Sequence, residues 1–108
     1  MSKPIGHSRH RLVLEAATST PDGAGGAIET WSAIATISAA IRPTGGRERM
    51  ISDGLQSRIT HEIIVRTRAD ILPRHRFRRG ARVLHILAVM AADPRATRLR
   101  CLCEERDL

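Results

Sequence analysis

Histidine, cysteine and acidic side chains are the groups in this 108-residue chain that could bind a metal or catalyse a reaction. Cys101 and Cys103 lie two positions apart, so in a strand both point to the same face. A disulfide between them would be strained there, and a metal would lack two further ligands. No pair of the five histidines has a carboxylate or cysteine beside it at ligand spacing. The sequence therefore predicts no metal site and two small, buried thiols in a reducing compartment.

The acidic residues give no sign of a catalytic centre. General acid–base catalysis needs carboxylates that converge on one substrate, whereas those of this chain are scattered over predicted strands and loops. The chain has no GxSxG nucleophile motif and no CxxC pair, and the glycines of the GAGG stretch lack the strand-to-helix setting of a phosphate-binding loop. We therefore expect neither an enzyme nor a cofactor. The hypothesis that the chain is a toxin-like hydrolase is supported only by its small size and its basic composition.

Arginine is the most distinctive feature of the composition. Eighteen lysines and arginines against eleven acids leave a net charge of +7, and Lys3 is the only lysine. Residues 74–79 read RHRFRR, a density of positive charge that is unfavourable unless water or an anion relieves it. Such a surface favours binding of a polyanion or an acidic protein. The alternative is that the run of charge is simply a solvent-exposed face, as such runs normally are. With only Trp31 and Phe77 as aromatic residues, the chain lacks a platform for stacking single-stranded bases.

Alternation of apolar and polar residues predicts an all-β fold. In the first predicted strand Leu12 and Leu14 face inward, whereas Glu15 lies on the wet face. Gly80 follows two arginines in the turn of a hairpin, and Asp93-Pro94 ends the next strand. We predict a small antiparallel β-barrel or sandwich of five to six strands, without an internal repeat. The clearest strand segments are 9–16, 34–43, 58–68, 83–89 and 98–104.

The segments between these strands complete the predicted layout. Residues 1–8 form a flexible basic arm, and residues 9–108 form a single domain with no apolar segment suited to export or a membrane anchor. Residues 18–26 read as a turn-rich loop. The loop over 44–57 is longer than folding needs and could hold one short helix from Arg47 to Asp53, and long loops are often functional. Trp31 is either a partly buried core or rim residue or a binding hot spot.

A series of segments, taken in order, resembles one protein family. These segments are RHRLVLEA, PDGAGG, a tryptophan, IRPTGGRE, THEIIVRTR, RFRRGARVLHILAV and DPRATRLRCLC. They resemble the head–tail joining proteins of tailed phages, and most of all the stopper, or head-closure, component of gene transfer agents, which are phage-like particles of alphaproteobacteria. The resemblance runs from Arg9 to Glu105 and lies in the order and spacing of the pieces. The chain departs from the family at Ile37 or Ala39, Thr67 and Leu84, where aromatic residues are common, but the apolar pattern is kept.

The resemblance implies a β-barrel subunit that forms a ring with itself, six-fold in symmetry, between the portal-bound adaptor ring and the tail terminator ring. It implies assembly in the bacterial cytoplasm, a final position in the neck of the particle, and double-stranded DNA passing through the channel without sequence recognition. In related proteins the long loop projects toward the channel, which makes Arg47, Arg49 and Met50 the DNA-facing candidates. A ring subunit has no need of a membrane or a cofactor.

Other residues are candidates for contacts between subunits or rings. Arginine and tryptophan are enriched where protein interfaces gain most of their binding energy. The candidates are Trp31, Arg74, Arg76, Arg78 and Arg79. The alternative function is a basic DNA-binding β-barrel that acts outside any particle, which the net charge alone supports.

Overall fold

A closed sheet of six antiparallel strands forms the body of the protein. The structure, a computed structural model, describes residues 9–44 and 58–106. Because β1 pairs with both β2 and β4, the strand order β1-β2-β3-β6-β5-β4 closes into a barrel. The predicted all-β antiparallel fold is thereby confirmed. The strands are β1 Arg9–Pro21, β2 Ala27–Pro43, β3 His61–Arg66, β4 Arg76–Arg79, β5 Arg82–Ala91 and β6 Arg98–Arg106.

Two of the predicted segments cannot be compared with this architecture. The basic arm of residues 1–8 and the short helix from Arg47 to Asp53 lie outside the described residues. No helix in the described ranges is long and apolar enough to cross a membrane.

The barrel interior is filled by the inward residues of the alternating strands. Leu12, Leu14 and Phe77 are completely buried, and so are the sulfur-bearing residues Cys101 and Cys103. Both cysteines are free thiols, as the sequence predicted. Burying a side chain the size of leucine or phenylalanine stabilises a fold by roughly 1.5–3 kcal/mol. The remaining members of this core are Ile37, Ala39, Ile63, Val65, Ile71, Leu84 and Ile86.

The hairpin of β1 and β2 is longer than the sequence predicted. Residues 18–26 were expected to be a loop, but Thr18 to Pro21 pair in register with Ala27 to Thr30. Only Asp22 to Gly26 turn the chain, and one side-chain oxygen of Asp22 accepts the backbone N–H groups of Ala24 at 2.8 Å and Gly26 at 3.0 Å. The turn-forming residues are therefore confined to the tip, and the threonines before them extend the strand.

The predicted exposure of Glu15 is wrong. Its side chain lies on the outer face, as the alternation indicates, yet the residue is only 5% exposed. Strand β4 pairs with β1 from Val13 to Glu15 and brings two arginine side chains over the carboxylate. A register shift between Leu14 and Glu15 also bends the hairpin at this point, where Ile34 has no register partner on β1.

The hairpin of β4 and β5 is confirmed. Gly80 has a φ angle of 61° in the turn that joins Arg79 to Arg82, a conformation that costs glycine little. The connection from β2 to β3 is closed at its base, where the backbone N–H of Thr44 donates to the carbonyl oxygen of Thr60 at 3.0 Å. The described chain thus enters and leaves the long loop at one place on the barrel rim.

Candidate functional site

The most buried ion pair among the described residues is built around the carboxylate of Glu15. The two oxygens of Glu15 accept hydrogen bonds from the Nε atoms of Arg76 at 2.7 Å and Arg78 at 2.8 Å. The side chains of Glu15 and Arg76 are 6% and 12% exposed, whereas that of Arg78 is 39% exposed. The alternating positions of the arginines on β4 place both beside β1, so one acid pairs with two arginines and the cluster keeps a net charge of +1.

Burial and ion pairing act on Glu15 in opposite directions. Burial alone would raise the pKa of Glu15, but the hydrogen bonds from Arg78 and Arg76 and their positive charges lower it below its usual value. The carboxylate is therefore ionised at neutral pH. The Glu15 carboxylate is therefore an anion of the same chain that reduces the repulsion among the positive residues of segment 74–79.

Trp31 extends the cluster along the hairpin. The guanidinium carbon of Arg76 lies 4.1 Å from the Trp31 ring centroid, and the ring of His85 meets the indole edge-on with centroids 5.5 Å apart. Burial lowers the pKa of His85, and the charges of Arg106 and Arg76 lower it further, so the imidazole is neutral at pH 7. Trp31 is thus partly buried against Arg76 of β4 and His85 of β5. Cation–π contacts of this kind are worth about 0.5–2 kcal/mol.

The predicted interface residues divide into two groups. Arg76 and Arg78 are held by Glu15, and Trp31 packs on Arg76, so these three lie together and contribute to the fold. Arg74 and Arg79 are exposed, and neither forms an ion pair within the part of the chain that the structure describes. Their role at an interface stays a prediction. The loop candidates Arg47, Arg49 and Met50 lie outside the described residues.

The two thiols are sealed in the barrel interior. Burial raises the pKa of Cys101 to about 12, and it raises that of Cys103 further, with a contribution from Cys101, so both are protonated and unreactive. Among residues 9–44 and 58–106, no group of three or more histidine, cysteine or acidic side chains could hold a metal ion.

A second arginine cluster was missed by the sequence analysis. Strands β2 and β3 pair only where Ala40 to Pro43 meet His61 to Ile64, and next to this pairing lies a groove of about 380 Å³. Arg9, Arg66 and Arg98 line it, together with Arg68, which pairs with Asp70. Positive residues near the ends of three predicted strands were the only signal. Their convergence follows from the register of β6 on β3, which the sequence does not reveal.

Comparison with known proteins agrees with this architecture. The chain matches the family of phage head completion proteins over residues 3–106. It is similar to a chain in the virion of a native gene transfer agent particle, with 33% identity and a TM-score of 0.67 over 92% of this chain and 96% of that one. It is also similar to protein SF1141 from Shigella flexneri 2a, known from a solution structure, with 30% identity and a TM-score of 0.69 over 88% of this chain and 89% of that one. No curated protein sequence matches it significantly.

These similarities confirm the family that the ordered segments of the sequence suggested. The family match spans nearly the whole chain, and the similarity to the gene transfer agent chain extends over almost all of both proteins. With its closed antiparallel barrel and its free, buried cysteines, the chain belongs to the family of phage head completion proteins.

Proposed function

We propose that this protein is a structural subunit that closes the head of a phage-like particle. The observation that carries the proposal is its similarity, over 96% of that chain, to a component of a gene transfer agent virion. Because the match covers 92% of this chain and 96% of that one, the proposal applies to nearly the whole chain. Family membership likewise supports a structural, non-enzymatic protein.

The finer proposal concerns its place in the particle. The subunits form a ring, six-fold in symmetry, in the neck between the portal-bound adaptor ring and the tail terminator ring. The protein is made in the bacterial cytoplasm and is incorporated there during assembly. A barrel with a reinforced outer wall at Glu15 and two exposed arginines nearby, Arg74 and Arg79, is suited to contacts with acidic neighbours.

DNA is the other proposed partner. The loop between β2 and β3 carries Arg47 and Arg49, which would meet phosphates, with Met50 beside them. Phosphate contacts position DNA without reading its bases, which suits a conduit for any sequence. Glu48 between the two arginines weakens the attraction, so that DNA can move through the channel.

Particles assembled with and without the protein test this proposal. A reconstruction of the neck should show a ring of barrels at the head exit. Cells that lack the protein should produce filled heads that lose DNA or remain without tails, and expression of the intact chain should restore them. Normal tailed particles in its absence, or a neck that does not contain it, would overturn the proposal.

A further inference from the structure

The far half of the β1–β2 hairpin projects from the barrel as a two-stranded arm. Within the described residues, Ala16 to Pro21 pair only with β2, and Ala27 to Ala39 have no strand on the side away from β1. Every residue from Thr18 to Thr30 is exposed, and the side chain of Ile28 is 54% exposed. A two-stranded ribbon with open edges is only marginally stable by itself and is a template for another chain.

The charge of this arm is opposite to that of the molecule. From Ala16 to Ala33 the chain contains two acids, Asp22 and Glu29, and no basic residue, although the net charge of the protein is +7. Asp22 is engaged in the turn at the tip. Of the eight acidic residues that the structure describes, Glu29 is the one that neither forms an ion pair nor accepts a hydrogen bond.

The groove between β2 and β3 has the complementary character. Arg9, Arg66 and Arg98 line it, and none of the three forms an ion pair among the described residues. Arg66 stands directly opposite Arg98 in the pairing of β3 with β6. Like charges directly opposite each other destabilise a sheet, so this pair calls for an anion from outside the barrel.

The arm and the groove cannot meet within one chain. Both involve the same strand, since Thr36 to Ala40 of β2 form one wall of the groove and Glu29 lies further along β2. Nine residues of strand, with the bulge at Ile34 between them, separate Glu29 from Ser38 by up to about 30 Å. Contact between Glu29 and the groove arginines therefore requires two molecules.

We propose that the arm of one subunit docks in the groove of the next, with Glu29 against Arg66 and Arg98. The inference rests on the proposed ring, because it names the contact that joins neighbouring subunits. The contact is heterologous: each subunit offers an arm on one side and a groove on the other. Repetition of such a contact closes into a ring when the rotation allows it. The open edge of β2 adds main-chain hydrogen bonds to the electrostatic attraction.

Crosslinking of two single variants tests the contact directly. Glu29→Cys in one preparation and Arg66→Cys in a second, differently tagged preparation are mixed under mild oxidation, and the mixed disulfide dimer is measured. The native thiols do not interfere, because burial keeps them protonated. We expect roughly tenfold more mixed dimer than with Arg95→Cys, a change at an exposed arginine outside the groove. An equal yield in the two mixtures would overturn the proposal.

Charge reversal in assembling particles provides a second test. Glu29→Lys and the double change Arg66→Glu with Arg98→Glu should each lower the yield of tailed particles by about tenfold or more, because like charges then face each other at the contact. The chain with all three changes should recover much of the yield, which a purely structural effect would not produce. Arg95→Glu should leave the yield unchanged, and thermal unfolding of each purified variant shows whether it folds.

The outcomes separate this inference from the proposed function. A ring of barrels in the neck whose formation is insensitive to Glu29→Lys would overturn the docking contact and leave the head-closure role intact. If reversal of Arg66 and Arg98 alone lowered the yield, with no rescue by Glu29→Lys, the groove would serve a different anion such as DNA phosphate. That result too would overturn the arm as its occupant.

Discussion

At the scale of residues, the molecule depends on how it uses acids against an excess of arginine. Glu15 holds Arg76 and Arg78, Glu104 holds Arg58 and Arg106, and Glu105 holds Arg82. Exposed ion pairs contribute little to the free energy of unfolding. Removal of one partner of a buried pair is costly, because it leaves the other charge buried without a counter-charge. Glu15 is therefore the acid on which the stability of the outer wall depends most.

Glu15→Gln should lower the free energy of unfolding by about 2–4 kcal/mol, because it leaves the buried guanidinium of Arg76 without a counter-charge. Urea unfolding monitored by the fluorescence of Trp31 measures the loss. The control is Asp70→Asn, whose side chain is 36% exposed and whose partner Arg68 is 37% exposed. That change should cost about 0.5 kcal/mol. Equal losses in the two variants would show that the Glu15 cluster does not support the fold.

Stability should fall in two steps as the pH decreases. Burial lowers the pKa values of His61 and His85 below 6.5 in the folded protein, so the unfolded chain takes up their protons first. The contribution of these two neutral histidines to the free energy of unfolding is complete above pH 6.5. It is lost as the pH falls toward their pKa values in the folded protein. Glu15 has its pKa lowered below 4.5, so its contribution is lost at still lower pH.

Urea unfolding at a series of pH values from 8 to 3 measures this dependence. The double change His61→Gln with His85→Gln should remove the upper step and keep the lower one. Stability that increased as the pH fell from 6.5 to 5 would contradict the assignment of neutral histidines.

At the scale of elements, the core is formed mainly by the inward side chains of the closed sheet. The arm beyond Glu15 adds no inward side chain to the core, and the connection from β2 to β3 is tied at its base by Thr44 and Thr60. The side-chain hydroxyl of Thr44 also donates a hydrogen bond to the carbonyl oxygen of Ile59 at 3.1 Å. Elements joined at such a base can be shortened without loss of the sheet pairing.

Replacement of Arg47 to Asp53 by a short glycine linker should leave the barrel folded, with a thermal midpoint within about 2 °C of the parent. Particles that carry this variant should leak DNA or fail to join tails, because the proposed channel loop is gone. Nuclease protection of packaged DNA and counts of tailed particles measure both effects. A linker of equal length with both arginines retained is the control, and full DNA retention by the shortened variant would remove the gating role.

At the scale of the whole molecule, much of the positive charge on the described barrel is paired with acids of the same chain. Examples are Arg76 and Arg78 with Glu15, and Arg82 with Glu105. The arginines without an ion pair among the described residues are Arg9, Arg66 and Arg98 at the groove, together with Arg11, Arg74, Arg79 and Arg95. A free subunit thus presents few phosphate contacts at once, whereas a ring multiplies each of them. This distinguishes a connector from a DNA-binding protein that acts alone.

The isolated subunit should bind double-stranded DNA weakly at 150 mM salt, with a dissociation constant of roughly 10–100 μM, in the range of nonspecific binding. A gel-shift or fluorescence titration over several salt concentrations measures this. Submicromolar binding by the monomer, with a steep loss of affinity as salt increases, would instead favour the function outside a particle.

How much of the structure the sequence predicts depends on how far apart along the chain the interacting residues lie. Period-two alternation placed Leu12, Leu14, Cys101 and Cys103 inside, and Gly80 marked the turn between β4 and β5, because these features depend on near neighbours. The same local reasoning predicted too long a loop at the hairpin tip. Residues 18–26 contain many turn-forming residues, and the sequence does not show that the first four of them pair with β2. Partial burial was one of the alternatives for Trp31, but its contact with Arg76 was not apparent from the sequence.

The sequence by itself determined an all-β fold, a strong excess of arginine and the order of segments that identifies its family. Only the tertiary structure decided which charges meet. Glu15 and Arg76 are separated by 61 positions, and Arg66 faces Arg98 only through the register of two strands. The local pattern of a strand shows which side chains share a face, but the partner on the next strand is set by how the sheet closes, and closure depends on packing of the whole core.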